Sequence, residues 1–99
     1  MPEALSENMM TTTRVLKIVN EKGLHARASA RFVEVVEDFD ASAEVAREGM
    51  NVSGDSIMGL LMLGAARGTT IEVTTSGPQA VELADALEAL VSGRFGEES

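Results

Sequence analysis

Four stretches of the chain show the β-branched or alternating pattern that is typical of β-strands. Residues 13–19 have Leu16 and Ile18 on one face, while Arg14 and Lys17 take polar positions. The other three stretches are residues 41–47, 50–53 and 69–75. Glu48-Gly49 separates the second stretch from the third and predicts the tight turn of an antiparallel hairpin.

Three further stretches have the longer repeat of an amphipathic helix. Between residues 26 and 39, apolar side chains recur every three or four positions, namely Ala28, Phe32, Val35, Val36 and Phe39. The apolar run at 57–63 follows Ser56, a preferred N-cap residue, and stops at Gly64. Ser76-Gly77-Pro78-Gln79 has the spacing of a capping box with proline in the first turn, and predicts a last helix that ends at Gly93.

The order of these elements, βαββαβα, predicts an α+β fold with one antiparallel sheet and its helices packed on one face. Residues 1–12 show no sustained period, so we expect a flexible N-terminal extension before a domain at residues 13–92. Residues 93–99 are expected to form a loose C-terminal tail.

Composition narrows the classes of function. A length of 99 residues fits one domain, and the net charge of −8 argues against nucleic acid or an anionic membrane as a partner. The chain has no cysteine, which excludes disulfides and thiolate metal sites and fits a reducing cytoplasm. We expect no metal and no cofactor; the acidic group Glu34, Glu37 and Asp38 is most simply a solvated helix face.

The single histidine is the strongest candidate for chemistry. His25 lies where the first strand gives way to a helix, with Gly23 two residues before it and Arg27 two residues after it. A lone histidine at such a junction is often only a cap, yet backbone N–H groups, the helix dipole and an arginine also favour a phosphate there. Imidazole can accept a phosphoryl group directly, with the N–H groups of Ala26 and Arg27 as donors.

Two features of the second helix also have a structural and a functional interpretation. Ser56 is either an ordinary N-cap or a cap that is also phosphorylated for regulation. The apolar run after it is either core or, in part, an exposed docking surface for a partner, with Ile57, Met58 and Leu61 as the candidates.

Two separate motifs resemble one family. Gly23-Leu24-His25-Ala26-Arg27 resembles the active-site motif of HPr, the histidine-containing phosphocarrier of the phosphoenolpyruvate-dependent phosphotransferase system. Ser56-Ile57-Met58-Gly59-Leu60, followed by Leu63-Gly64-Ala65, resembles the regulatory serine segment of that family. The similarity extends over residues 13–91. It implies an open-faced β-sandwich, in which a four-stranded antiparallel sheet carries three helices on one side.

The resemblance also implies a reaction. Enzyme I would pass a phosphoryl group to Nδ1 of His25, and the carrier would pass it to a IIA component while Arg27 steadies the phosphate. The protein would be a monomeric covalent intermediate rather than an enzyme. HPr kinase/phosphorylase would modify Ser56, and the apolar segment after it would be the docking surface.

The chain departs from the family at two positions. Ala28 stands where the family usually has proline, and it restores a backbone N–H that can donate to phosphate. Asp55 stands where lysine is frequent, and its carboxylate would repel a phosphoserine. These departures suggest the nitrogen-related or proteobacterial regulatory branch rather than a dedicated sugar-uptake carrier.

Two other classes of function stay open at this stage. The first is an interaction protein whose Ser56 phosphorylation state controls partner binding without phosphotransfer. The second is a small ligand-binding domain that uses the His25 region as an anion pocket.

Overall fold

A four-stranded antiparallel sheet forms one layer of the molecule. The computed structural model describes residues 10–99. The strands are β1 (Thr11–Lys17), β2 (Ser42–Arg47), β3 (Met50–Ser53) and β4 (Thr70–Ser76), and they lie in the order β1-β4-β2-β3. Every neighbouring pair is antiparallel, so the predicted single antiparallel sheet is confirmed.

Three helices form the second layer. They are α1 (Ala26–Glu37), α2 (Ile57–Met62) and α3 (Ala80–Ser92), which completes the predicted order βαββαβα. Phe32 of α1, Leu60 of α2 and Leu83 of α3 are fully buried in one core cluster with Val45 and Ile71 of the sheet. Burial of apolar surface between the two layers therefore holds the fold together.

The hairpin between β2 and β3 has the turn that its sequence predicts. Arg47 pairs with Met50, and both residues between them have positive φ angles, 50° at Glu48 and 85° at Gly49. Two consecutive positive φ angles define a type I′ turn, whose twist matches that of the flanking strands. Glycine accepts such an angle without the steric penalty of a Cβ atom.

Arg14 keeps the polar position on β1 that the sequence predicts. It lies on the same face as Leu16, towards α3, and its guanidinium donates to Asp85 at 2.8 Å and to Glu88 at 2.7 Å. These hydrogen bonds raise the pKa of Arg14. A long side chain can cover apolar surface with its stem while its charge stays in water, which reconciles arginine with this face.

The start of α3 is also different from the prediction. The helix begins at Ala80, and Gln79 makes no side-chain cap bond, so Pro78 precedes the helix rather than lying in its first turn. Gln79 Oε1 instead accepts the Asp40 N–H at 2.7 Å, which ties α3 to the connection after α1. The predicted end at Gly93 is confirmed.

Both predicted terminal segments need correction where the structure describes them. β1 begins at Thr11 and pairs with Ser76, so residues 11 and 12 belong to the sheet; residues 1–9 of the expected extension lie outside the described residues. The expected loose tail instead contains a 3₁₀ turn at Arg94–Gly96, with Phe95 fully buried in the core. Burial of a whole aromatic side chain is what holds this segment down.

Candidate functional site

His25 occupies the N-cap position of α1. Its backbone is extended, its carbonyl accepts the Ser29 N–H at 2.8 Å, and its ring Nδ1 accepts the Arg27 N–H at 3.3 Å. About a quarter of the side chain is exposed, 27%. The ring therefore covers the N-terminus of the helix with Nδ1 directed at an otherwise unpaired backbone donor.

The loop before His25 is fixed against the segment that follows α2. Leu24 donates its N–H to the Ala65 carbonyl at 2.9 Å, and Gly23 donates to the Asn20 carbonyl at 3.2 Å. Gly23 has a φ of +69°, which favours glycine. These bonds place His25 beside the end of α2.

A carboxylate meets the other ring nitrogen. Nε2 of His25 contacts Oε2 of Glu97, and the buried Asn20 donates one Nδ2 hydrogen to Glu97 Oε1 at 3.0 Å. The second Nδ2 hydrogen of Asn20 goes to the Gly23 carbonyl at 2.8 Å. Because Nε2 faces an acceptor and Nδ1 faces a donor, the neutral ring carries its proton on Nε2 and its lone pair on Nδ1.

The environment of Glu97 lowers the pKa of its carboxyl group. Partial burial raises the pKa, and the hydrogen bonds from His25 and Asn20 outweigh that effect by stabilising the charged form. A carboxyl whose native pKa is lowered stabilises the fold above its unfolded-state pKa and loses that contribution as the pH falls through the native value.

We therefore expect the effect of Glu97→Ala on the free energy of unfolding to depend on pH. The difference from the wild type should be full near pH 7 and should shrink as the pH falls below the ordinary value of 4.5. Urea unfolding of both proteins at several pH values measures it. Glu98→Ala is the matched control, since it removes the same charge from the neighbouring exposed side chain. A difference that grows on acidification would contradict the assignment.

A cavity of about 550 Å³ opens beside His25. It is lined by Lys22, His25, Ala26, Arg27, Glu97, Glu98 and Ser99. The side chain of Arg27 is exposed, and within residues 10–99 no ion pair engages its guanidinium. Two of the three backbone groups expected around a phosphate, those of Ala26 and Arg27, thus belong to residues that line this space.

Ala28, the third of these residues, does not line the cavity. It is fully buried in the core, so its N–H is not open to a ligand in this conformation. A role for the Ala28 N–H in binding phosphate therefore stays a prediction.

Three residues of this region were not singled out from the sequence as site residues. Asn20 and Lys22 lie in the turn-forming segment between the predicted first strand and the first helix, and Glu97 lies in the expected loose tail. Turn composition predicts a change of direction and carries no information about which side chains meet. Phe95 itself is the signal that the sequence offers for Glu97, because an aromatic residue so close to a helix end can anchor the segment that follows it.

Ser56 is the N-cap of α2, as predicted. Its Oγ accepts the Gly59 N–H at 3.0 Å. The neighbouring Asp55 is turned back and accepts a hydrogen bond from Ser53 Oγ at 2.6 Å. The serine therefore has a complete structural role without modification.

The helix that Ser56 begins exposes much of its apolar surface. Leu60 is fully buried, whereas Ile57, Met58 and Leu61 are 40%, 70% and 37% exposed. Met62 is exposed as well, at 65%. The expectation that part of this run points outward is confirmed, and we refer to these four exposed residues as the α2 surface.

No group of three or more metal-ligating side chains occurs within residues 10–99. In the same part of the chain, no helix is long and apolar enough to cross a membrane.

Comparison with known proteins is consistent with this geometry. Residues 12–93 match the family model described as PTS HPr component phosphorylation site. The chain belongs to the HPr family. The phosphocarrier protein HPr of Cupriavidus necator is 45% identical over 80 residues, which are 81% of this chain and 90% of the relative. The phosphocarrier protein NPr of Escherichia coli K12 is 37% identical over 90 residues, covering 90% of this chain and all of the relative.

Solved HPr structures have the same fold. HPr-C-His from Thermoanaerobacter tengcongensis superimposes with a TM-score of 0.84 at 33% identity, covering 89% of this chain and 99% of that one. HPr from Bacillus anthracis superimposes with a TM-score of 0.78 at 33% identity, covering 82% and 96%. The protein is thus a phosphocarrier of the phosphotransferase-system type, as its two motifs predicted.

Proposed function

We propose that this protein accepts a phosphoryl group from Enzyme I on Nδ1 of His25 and passes it to a IIA component. The observation that carries the proposal is the position of Nδ1, which has its lone pair directed at the N-terminus of α1 beside an open cavity. Family membership supports the class of reaction, since HPr-type carriers work between these partners.

The chemistry needs little beyond position and charge. The Nδ1 lone pair of His25 attacks phosphorus while the bond between phosphorus and the donor's phosphorylated group breaks. The phosphoryl group therefore moves from Enzyme I to the carrier without reacting with water. Ala26 and Arg27 line the cavity beside the ring. On transfer, the Ala26 N–H, the Arg27 N–H that bonds to Nδ1 in the unphosphorylated protein and the exposed Arg27 guanidinium would donate to the phosphoryl oxygens. In the second transfer the acceptor's nucleophile attacks phosphorus and the Nδ1–P bond breaks, which returns His25 to its starting state, so the protein is a carrier without turnover of its own.

The α2 surface is the proposed docking site for these partners. Ile57, Met58 and Leu61 are exposed, and the segment after α2 bonds to Leu24 next to His25. Exposed apolar side chains beside a reactive group favour a partner that covers both. We propose a monomer, because each partner must reach the same surface, and a cytoplasmic location, because phosphoenolpyruvate is a cytoplasmic metabolite.

Phosphorylation of Ser56 is proposed as the regulatory step, with HPr kinase/phosphorylase as the modifying enzyme. A phosphate on Ser56 would place about two negative charges beside Ile57 and Met58 at the edge of the α2 surface. That charge would oppose docking of an apolar partner surface. Asp55 adds a negative charge next to it, which makes recognition by the kinase the more demanding step.

The first experiment is intact-mass analysis after incubation with phosphoenolpyruvate and Enzyme I from the same source. We expect one acid-labile phosphate on the wild type and none on His25→Ala. Ser56→Ala should still accept the phosphate, since the Ser56 hydroxyl caps α2 and makes no hydrogen bond to His25. The absence of phosphate on the wild type, with Enzyme I shown to be active on another carrier, would contradict the proposal.

That negative result would favour the second candidate, an interaction protein controlled by Ser56 alone. The observation behind it is that Ser56 lies at the start of the exposed α2 surface. Incubation with ATP and HPr kinase/phosphorylase then provides the test. An acid-stable phosphate on the wild type and on His25→Ala, but not on Ser56→Ala, would support it.

A further inference from the structure

The carboxylate of Glu97 receives two hydrogen bonds that converge on its two oxygens. Nε2 of His25 meets Oε2, and Nδ2 of Asn20 meets Oε1 at 3.0 Å. Asn20 is fully buried, and its other Nδ2 hydrogen is held by the Gly23 carbonyl, so its orientation is fixed. A carboxylate can accept both bonds, whereas the amide of glutamine has one oxygen and would turn a donor towards one of its partners.

The backbone of Glu97 is fixed as well. Phe95 is fully buried two residues earlier, and the Glu97 N–H donates to the Arg94 carbonyl at 2.9 Å. The side chains of His25 and Glu97 are only 27% and 18% exposed. A pair that is fixed at both ends and partly shielded loses less to side-chain entropy and screening than a surface ion pair does.

We propose that Glu97 is a positioning residue for phosphoryl transfer, which holds the Nε2–H of His25 and compensates the charge that the imidazole gains on phosphorylation. The proposal rests on the proposed function and adds a residue from the C-terminal segment to it. Asn20 supports Glu97 by fixing the second carboxylate oxygen.

The charge balance of the transfer explains why a carboxylate is useful there. Nδ1 of His25 uses its lone pair to bond phosphorus, the bond from phosphorus to the donor breaks, and the proton on Nε2 stays in place. The ring thereby changes from neutral to cationic at the positive end of the α1 dipole, which opposes that change. A negative charge on the Nε2 side offsets this opposition, as a buried aspartate stabilises the imidazolium in a serine protease triad.

Position also keeps Glu97 from repelling the phosphoryl group. Both of its oxygens are engaged on the Nε2 side, while the phosphoryl group arrives at Nδ1, beside the backbone of Ala26 and Arg27. Glu34, by contrast, is exposed on α1 and does not line the cavity beside His25. It therefore provides a control with the same change of charge.

The test compares wild type, Glu97→Gln and Glu34→Gln in phosphoryl exchange with Enzyme I. We expect Glu97→Gln to lower the rate of phosphorylation about tenfold, in line with the loss of an outer-shell partner of a functional histidine. The equilibrium between phosphorylated and unphosphorylated carrier should shift in the same direction by a similar factor. Glu34→Gln should stay within about twofold of the wild type in both measurements.

The equilibrium measurement separates positioning from a structural role. Weaker docking of Enzyme I slows approach to equilibrium and leaves the equilibrium itself unchanged, whereas loss of charge compensation changes it. A ¹⁵N-detected spectrum of the unphosphorylated proteins adds a direct readout, since the Nε2–H of His25 should be more protected from solvent exchange in the wild type and in Glu34→Gln than in Glu97→Gln.

The outcomes separate the two proposals. If the wild type and Glu97→Gln are both phosphorylated and have the same phosphorylation equilibrium, the role of Glu97 is overturned and the carrier function stays intact. Faster phosphorylation of Glu97→Gln would also overturn it, because the carboxylate would then be repelling the incoming group. A wild type that accepts no phosphate at all would overturn the carrier function itself.

Discussion

Phe95→Ala is expected to lower the free energy of unfolding by about 3–5 kcal/mol, the range for an aromatic residue removed from a packed core. Phe95 is fully buried in the cluster that includes Phe32 and Leu87. The surrounding helices and sheet are paired through many other contacts and can collapse only partly into the space. The total free energy of unfolding of a domain is about 5–15 kcal/mol, so this loss should be readily measurable by urea unfolding.

Phe39→Ala provides the comparison. Phe39 packs against the same cluster but is only partly buried, so its removal should cost clearly less than that of Phe95. Equal losses for the two variants would mean that the C-terminal segment is not docked in solution as it is in the structure. The amide signals of residues 94–99 give an independent check, since Phe95→Ala should release the whole segment from protection.

The elements of this fold were predictable because their patterns are local. The alternation in residues 69–75 and the repeat of Phe32 and Val36 each reflect one buried face, and a period of two or of about 3.6 reveals it directly. The predictions are wrong where a side chain bonds to a residue distant in the sequence instead of to a neighbouring one. Gln79 fits a capping box by spacing, yet it bonds to the backbone of Asp40, 39 residues away along the chain.

Only those residues of the candidate site that lie next to helix starts were predictable from the sequence. His25, Arg27 and Ser56 lie next to helix starts, so their positions follow from local sequence. Glu97 is 72 residues from His25, and the turn that delivers it has positive φ angles at Arg94 and Phe95, neither of which is a glycine. Such angles are held by tertiary packing, here the burial of Phe95, so turn composition gave no signal for them.

Gly23→Ala is expected to destabilise the fold by about 2–5 kcal/mol through two separate effects. A Cβ atom at this position would lie 2.6 Å from the Ala65 carbonyl oxygen and 3.0 Å from Ala66 Cα, so backbone must move. Overpacking of this kind costs about 1–3 kcal/mol. The φ angle of +69° adds about 1–2 kcal/mol for a residue with a side chain.

The matched control for Gly23→Ala separates the two effects. Gly64 has a similar φ of +61°, but a Cβ atom there would meet nothing within 4 Å, so Gly64→Ala should show only the conformational cost. Urea unfolding of both variants measures the difference. Because the Leu24 N–H bonds to the same Ala65 carbonyl, the clash should also displace the loop that precedes His25. Gly23→Ala should therefore shift the ring signals of His25 in NMR spectra and slow its phosphorylation, whereas Gly64→Ala should do neither. Similar effects from both variants would show that the contact with Ala65 does not position the histidine.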